Sequence, residues 1–287
     1  MKLRKWVCPM LILLCLGVFF AYQTVDQIRT DDTPPEIKME ETFLLLSIED
    51  PREALLQGVT ATDDTDGDVT ESLVVESVRL LSSDGTVAVS YAAFDRAGNV
   101  AKAQRQLRYT DYQSPRFTLS APLIFVQGPS VNVLSYVSAQ DGVDGDISHR
   151  IRATNLSGTS ISAQGSYEVQ FRVTNSMGDT VQLQLPVEVF AAGNYDGKLS
   201  LTDYLIYLQA GDTFRAEDYL KEYVLNNKTY TLEDGMPEHF TLQTAGQVDT
   251  QTPGVYVMTY KVTYTAASGT GSRAYTGYSK LIVVVEG

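Results

Sequence analysis

Three stretches of the chain begin with glycine and then alternate apolar with mostly polar residues: 85-GTVAVSYAAFD-95, 165-GSYEVQFRVTN-175 and 254-GVYVMTYKVTY-264. A strict period of two is typical of a β-strand with one buried face, as in an antiparallel sheet. The positions two, four, six and eight residues after each glycine are therefore predicted to face a core. They are Val87, Val89, Tyr91 and Ala93, then Tyr167, Val169, Phe171 and Val173, then Tyr256, Met258, Tyr260 and Val262.

The three glycines, Gly85, Gly165 and Gly254, lie 80 (165 minus 85) and 89 (254 minus 165) residues apart. That spacing is about the size of one β-sandwich module. The sequence therefore predicts an all-β chain of three tandem β-sandwiches, with one helical insertion around "AEDYLKEYVL" (216–225) in the third. The predicted modules are 34–110, 111–191 and 192–287, after an N-terminal segment over 1–22 and a linker over 23–33.

One part of the sequence has the order "PPEI … GVTATDDTDGDVT … GTVAVSYAAFDRAGNVAKAQRQLRY". It resembles the bacterial immunoglobulin-like (Ig-like), hyalin-repeat-related domains of Gram-positive cell-surface proteins. The second copy departs from the turn pattern, with Asn175 and Asp179 where an Asp and an Asn are expected, and the third copy has no D-G-D segment. The resemblance covers roughly residues 31 to 286. It implies an Ig-like fold and a location at the cell surface, and it implies no reaction.

The first 22 residues combine a basic start with an uncharged apolar run from Trp6 to Tyr22. This pattern predicts a single transmembrane anchor, with Trp6 and Tyr22 at its interfaces, the N-terminus inside and the bulk of the chain extracellular. A cleaved signal peptide is the alternative. Both cysteines lie in this segment, so the rest of the chain folds without disulfides.

The charge balance and the motif content exclude several function classes. The formal net charge is −13, and such a surface repels phosphate backbones, so nucleic-acid binding is not expected. The two histidines, His149 and His239, have no nearby metal-ligand partner in the sequence, and no nucleophile elbow or phosphate-binding loop occurs. The sequence therefore predicts a protein without enzymatic activity.

Two acidic segments repeat one pattern, D-x-x-D-G-D, at 62-TDDTDGDV-69 and 140-QDGVDGDI-147. Closely spaced carboxylates around a glycine turn can bind Ca²⁺, and Asp95 and Asn99 of the following turn would add ligands where the loops meet. The alternative is that these residues are ordinary turn formers, with Asp side chains capping their own backbone. The candidate calcium ligands are Asp63, Asp66, Asp68, Asp141, Asp144 and Asp146.

The third module holds 11 of the 17 tyrosines. Tyrosine offers a rigid apolar face with a polar tip, which suits contacts to sugars and proteins, although half of these residues are expected in the core. Tyr264, Tyr275 and Tyr278 are the candidate exposed ligand contacts. The predicted function is a non-enzymatic, membrane-anchored stalk for adhesion, spacing or protein interaction. The alternative is a carbohydrate-binding accessory protein that contacts cell-wall or host glycans through the third module.

Overall fold

The structure of the chain is a computed structural model that describes seven stretches of the sequence. It divides the chain into two compact units, Met1–Tyr112 and Gln113–Gly287. The described stretches are residues 10–21, 31–40, 43–128, 131–156, 161–191, 196–266 and 273–287.

A helix covers residues 10–21. At 1.5 Å per residue these residues extend about 18 Å, whereas a bilayer core is about 30 Å thick. No helix among the described residues is both long enough and apolar enough to cross a membrane. This finding contradicts the predicted single-pass anchor and the cell-membrane localisation that rests on it. Trp6 and Tyr22, the predicted interfacial residues, lie outside the described stretches.

Seven strands form the first module, within the first unit. They are β1 (Glu36–Met39), β2 (Phe43–Leu46), β3 (Val59–Asp63), β4 (Gly67–Asp68), β5 (Val74–Leu80), β6 (Thr86–Phe94) and β7 (Val100–Tyr109). One sheet has the strand order β1-β3-β4 and the other β2-β7-β6-β5. Short 3₁₀ helices, Arg52–Leu56 and Thr70–Ser72, lie between strands.

The second module begins the second unit and repeats this arrangement. Its strands are β8 (Arg116–Leu119), β9 (Ile124–Val126), β10 (Val137–Asp141), β11 (Gly145–Asp146), β12 (Arg152–Asn155), β13 (Gly165–Thr174) and β14 (Thr180–Phe190). The sheets have the orders β11-β10-β8 and β12-β13-β14-β9. The 3₁₀ helices of this module are Val133–Tyr136 and Ser148–Arg150.

The third module has the same number of strands. They are β15 (Lys198–Leu201), β16 (Leu205–Gln209), β17 (Leu220–Leu225), β18 (Lys228–Thr231), β19 (Phe240–Ala245), β20 (Gly254–Ala266) and β21 (Arg273–Glu286). The sheets have the orders β15-β17-β18 and β16-β21-β20-β19. The predicted helical insertion over 216–225 is wrong, because only Ala216–Tyr219 forms a short 3₁₀ helix and strand β17 follows directly.

All three modules share one topology. In each, the first strand pairs with the third, and the second strand pairs parallel with the last. The other pairings are antiparallel. Two sheets of this kind with seven strands form an Ig-like β-sandwich, so the chain is a tandem array of such sandwiches.

The predicted glycine-led strands are β6, β13 and β20, and their inward rows form the cores. Of the twelve predicted core positions eleven are buried, and Tyr256 is half-buried against the core of the third module. The prediction of these strands and of their buried face is confirmed.

The second and third modules share a hydrophobic core within their unit. Leu205 of β16 and Ile282 of β21 belong to the buried cluster that Phe171 and Leu185 form in the second module. The phenol oxygen of Tyr207 accepts a 2.9 Å hydrogen bond from the backbone amide of Phe117. These contacts join the two sandwiches into one packed body.

Candidate metal centre

Strand β3 carries an acidic side chain into the interior of the first module. The side chains of a strand alternate between its two faces, and Val59, Ala61 and Asp63 occupy the inward row of β3. Asp63 is the last residue of the strand, and it is 7% exposed. The alternation that buries an apolar row therefore also buries a carboxylate at the end of that row.

Only one oxygen of the Asp63 carboxylate is used by the turn that follows. Its Oδ1 accepts hydrogen bonds from the amides of Thr65 at 2.9 Å and Asp66 at 2.8 Å. Gly67 closes the turn at a φ of 76°, a left-handed conformation that glycine adopts without strain. The second oxygen, Oδ2, is buried and has no hydrogen-bond partner among the described residues.

Asp95 follows β6 directly and approaches the same place from the other sheet. Its Oδ1 accepts from the amides of Gly98 at 2.6 Å and Asn99 at 2.7 Å, which fixes the β6–β7 turn. Its Oδ2 accepts from the side-chain amide of Asn99 at 2.7 Å. Asp95 is 9% exposed, so a second buried carboxylate is held in one orientation.

Asp31 comes from the segment that precedes β1. Its Oδ1 accepts from the amide of Thr33 at 3.0 Å and from the Thr33 hydroxyl at 2.7 Å. These two hydrogen bonds hold the pKa of Asp31 below its ordinary value, and the bond from the hydroxyl has the larger effect. The side-chain amide of Asn99 also donates to the backbone carbonyl of Asp31 at 2.8 Å. The remaining oxygen, Asp31 Oδ2, is buried and has no hydrogen-bond partner among the described residues.

Together Asp31, Asp63 and Asp95 form an acidic cluster. One carboxylate oxygen from each lies within 4.8 Å of the others. In the described part of the chain no ion pair joins any of the three to a basic side chain. Burying a group of carboxylates costs free energy unless an opposite charge compensates their negative charge.

The donor set of the cluster consists of oxygens alone. Ca²⁺ prefers six to eight oxygen ligands at about 2.3–2.6 Å, and oxygens around one such ion lie within the spacing that the cluster shows. Zinc and copper sites favour nitrogen and sulfur, which this cluster does not supply. The residues therefore fit a hard divalent cation of the calcium type, held by the two unpartnered oxygens of Asp31 and Asp63 together with Asp95.

Two of the three predicted ligands in the first acidic segment lie outside the cluster. Asp66 accepts from the amide of Arg96 at 2.7 Å and lies 3.5 Å from the Arg96 guanidinium, which ties the loop to the β6–β7 turn. Asp68 accepts from the amide of Thr70, two residues later, at 2.9 Å. For Asp66 and Asp68 the structure shows the turn-forming role.

The second acidic segment repeats these turn contacts. Asp141 Oδ1 accepts from the amides of Val143 and Asp144, at 3.0 and 2.8 Å. Asp144 accepts from the amide of Ser176 at 2.6 Å and from the Arg150 guanidinium at 2.5 Å. Asp146 accepts from the amide of Ser148 at 2.9 Å, as Asp68 accepts from the amide of Thr70. The repeated pattern is thus a repeated turn.

The second module differs at the position of the cluster. Asn175 stands where Asp95 stands in the first module, ten residues after the leading glycine. Its side-chain amide donates to Asp141 Oδ2 at 3.1 Å. Asp141 Oδ2 therefore accepts from a neutral amide, whereas the corresponding oxygen of Asp63 has no hydrogen-bond partner among the described residues. None of the predicted ligands Asp141, Asp144 and Asp146 belongs to the three-carboxylate cluster found among the described residues.

The three tyrosines predicted as exposed ligand contacts are half-buried. Tyr264 and Tyr275 pack against the core of the third module, and their rings stack at 6.4 Å between centroids. The ring of Tyr278 stacks on Phe190 of the second module at 5.7 Å. The expectation that these rings are exposed is therefore corrected, because each has a packing partner. Their role in ligand contact stays a prediction.

Comparisons with known proteins give similarities without a family assignment. No family model matches the chain. It is 27% identical over 168 residues to the pesticidal crystal protein Cry22Aa of Bacillus thuringiensis, covering 53% of this chain and 23% of that protein. It is 28% identical over 128 residues to an uncharacterized 81.3 kDa protein of Acholeplasma phage L2, covering 45% of this chain and 16% of that protein. The chain therefore spans less than a quarter of the length of either relative.

Among solved structures, similarity extends along most of the chain. Drosophila N-cadherin EC1-4 aligns over 89% of this chain and 76% of its own, at 13% identity and a TM-score of 0.22. A Clostridium perfringens ZmpB structure of CBM51-2 in complex with GlcNAc and of INT domains aligns over 87% of this chain and 44% of its own. The identity there is 14% and the TM-score 0.22.

Proposed function

We propose that the chain is a non-enzymatic cell-surface protein whose Ig-like modules act as a spacer for adhesion or protein interaction. In this proposal Ca²⁺ bound by Asp31, Asp63 and Asp95 fixes the segment that enters the first module. The observation that carries it is the pair of buried carboxylate oxygens, Asp31 Oδ2 and Asp63 Oδ2, that have no hydrogen-bond partner among the described residues. A bound cation supplies the partner that both oxygens need.

The position of the cluster supports a structural role for the ion. Asp31 belongs to the segment before β1, Asp63 ends β3, and Asp95 opens the β6–β7 turn. One ion at this place would join three segments that are distant in sequence. An ion bound by the folded state alone stabilises it by about 2.7 kcal/mol when its concentration is a hundred times Kd.

The use of the acidic segments supports a structural rather than a catalytic assignment. Asp66 and Asp144 hold the same loop against the same turn in two modules. Asp68 and Asp146 each accept from the backbone amide two residues later. Because these carboxylates make the same backbone contacts in both modules, their role in folding explains why they are present, and no catalytic role is needed.

Hydrogen exchange on the whole chain, with calcium and with a chelator, tests this proposal. We expect calcium to slow exchange of the amides of Thr33, Thr65 and Asn99, since their segments carry the three carboxylates. The Asp63→Asn variant keeps an oxygen for the turn amides but loses the charge, and we expect it to show no calcium effect. The Asp68→Asn variant is the matched control and should respond as the native chain does. Equal exchange with calcium and with chelator in the native chain contradicts the proposal.

A second candidate function is glycan binding by the third module. It is favoured by a row of aromatic rings in which Tyr230, Tyr264 and Tyr275 lie 5.5 and 6.4 Å apart between successive centroids. The guanidinium of Arg273 lies 4.8 Å from the ring centroid of Tyr275. A glycan array with the native chain and a Tyr275→Ala variant tests this candidate. Binding that the variant loses supports it, and no bound glycan on the array contradicts it.

A further inference from the structure

The outer face of the larger sheet in the second module carries a basic depression in an otherwise acidic protein. Its volume is about 340 Å³. We call it the arginine face, and its lining includes Arg150, Arg152, Thr154, Gln170, Arg172 and Gln182. The chain as a whole has a formal net charge of −13, so this face is an electrostatic exception.

The alternation of strand β13 explains why these side chains point outward. Val169, Phe171 and Val173 are its buried row, and Gln170 and Arg172 therefore belong to the opposite row. Only the inward row has to be apolar to form the core, so the side chains of the outward row can differ between modules.

Two of the arginines are placed directly against each other. Arg152 of β12 and Arg172 of β13 are opposite partners in the antiparallel register, and both are exposed. Like charges at such a position repel, since the Cβ atoms of opposite residues are about 5 Å apart. Neither residue has an ion pair with a carboxylate in the described part of the chain. Arg150, in contrast, is paired with Asp144.

The fold does not require this pair. The residue seven positions after the leading glycine is Ala92 in the first module, where its opposite partner is Val74. In the third module the same position is Lys261, opposite Gln243. Only in the second module does the register place two cations together, although all three modules share one topology.

The chemistry of the lining narrows the class of partner. A guanidinium binds a carboxylate through two parallel hydrogen bonds, which a planar acid group satisfies well. The amides of Gln170 and Gln182 and the hydroxyl of Thr154 can exchange hydrogen bonds with sugar hydroxyls. Protein interfaces are enriched at their centre in aromatic residues and Met, and the lining contains neither.

We propose that the arginine face binds an anionic polysaccharide through its carboxylates, with Arg152 and Arg172 as the charged contacts. This goes beyond the proposed spacer role, because it names a partner class and a binding face in a different module. It does not depend on the calcium cluster, so the two proposals fail independently.

The test is a calorimetric titration of the full chain with polygalacturonate, in a buffer that contains a chelator so that no calcium bridges the polymer. We expect binding that weakens as salt is raised, since exposed charges are screened. The Arg152→Gln, Arg172→Gln double variant should bind about tenfold more weakly or worse, because two charge-assisted contacts are lost. Lys261→Gln, at the same position of the third module, is the matched control and should leave the affinity unchanged.

Two further probes separate this partner from the others. We expect no comparable binding to a neutral galactan, which lacks the carboxylates, or to polyglutamate, which lacks the sugar hydroxyls. Absence of polygalacturonate binding, equal affinity of the double variant, or equally tight binding of either of these two polymers would overturn the assignment. A melting midpoint of the double variant at or above that of the native chain shows that it is folded, since the substitution removes a repulsive pair.

Discussion

The side-chain amide of Asn175 donates a hydrogen bond to Asp141 Oδ2 at 3.1 Å, at the position where the first module sets Asp95 beside Asp63. Both members of this pair are buried. The same loop geometry thus holds an acidic cluster in one module and a neutral hydrogen bond in the next. Where Asp95 belongs to the acidic cluster of the first module, Asn175 makes a neutral hydrogen bond in the second.

Asn175→Asp should destabilise the second module in the presence of a chelator. The substitution removes the donor to Asp141 and puts a second carboxylate beside it, and leaving a buried polar group unpaired costs about 1–3 kcal/mol. We expect calcium to restore part of this loss, whereas it should not change the melting of the same module in the native chain. Thermal melting followed by near-UV circular dichroism measures both effects. Asn132→Asp, at an exposed position of the same module, is the control, and an equal loss there would contradict the explanation.

Calcium should raise the melting midpoint of the first module. At a hundred times Kd the gain of about 2.7 kcal/mol corresponds to a rise on the order of 10 °C for a module of this size. Asp63→Asn should remove the rise, while Asp66→Asn should retain it because Asp66 binds Arg96 instead. Differential scanning calorimetry resolves the transitions, and a rise of equal size in Asp63→Asn speaks against the site.

Acid should destabilise the second module through Asp144. Burial alone would raise the pKa of Asp144, but the hydrogen bonds from Ser176 and the contact with Arg150 outweigh it and hold the pKa below its ordinary value. The ionised carboxylate therefore stabilises the folded state above its unfolded pKa, and this contribution is lost as the pH falls through the folded value.

The Asp144→Asn variant should thus lose less stability than the native chain between about pH 5 and pH 2. Urea unfolding over this range measures the slope for each protein. Asp234→Asn, at an exposed position of the third module, is the control and should keep the native slope. If the stability of Asp144→Asn falls with pH as steeply as that of the native chain, the contacts of Asp144 with Ser176 and Arg150 do not cause the acid destabilisation.

Leu205→Ala should destabilise the second and third modules together. Leu205 lies in a strand of the third module but is buried in the core of the second. Removing a buried leucine side chain costs about 2–5 kcal/mol, and we expect one shared unfolding transition to move. Leu134→Ala, at an exposed position, should change stability by less than about 0.5 kcal/mol. Two separate transitions, of which only one responds, would refute the shared core.

The strands could be predicted from the sequence because period two survives wherever one face is buried. The failure at 216–225 has a local cause. The pairing of β15 with β17 shifts register between Ser200 and Leu201, so that Leu220 and Tyr223 are both buried at a spacing of three. A spacing of three is the signature of a helix, and a β-bulge imitates it.

The cluster could be predicted only in part. Asp63 belongs to the repeated acidic pattern, and the sequence predicts that Asp95 adds a ligand where the loops meet, which they do. The sequence does not indicate Asp31, because it lies 32 residues before Asp63 (63 minus 31) in a stretch that reads as a linker. A ligand contributed from outside the module has no spacing rule, and three-dimensional contact alone reveals it.

Calorimetric titration of the full chain with calcium shows directly whether Asp31, Asp63 and Asp95 bind the ion. We expect binding that Asp63→Asn abolishes and that Asp66→Asn and Asp68→Asn retain. No heat of binding at any calcium concentration up to the millimolar range, about the weakest affinity of extracellular calcium modules, would contradict it. So would binding that Asp63→Asn leaves unchanged.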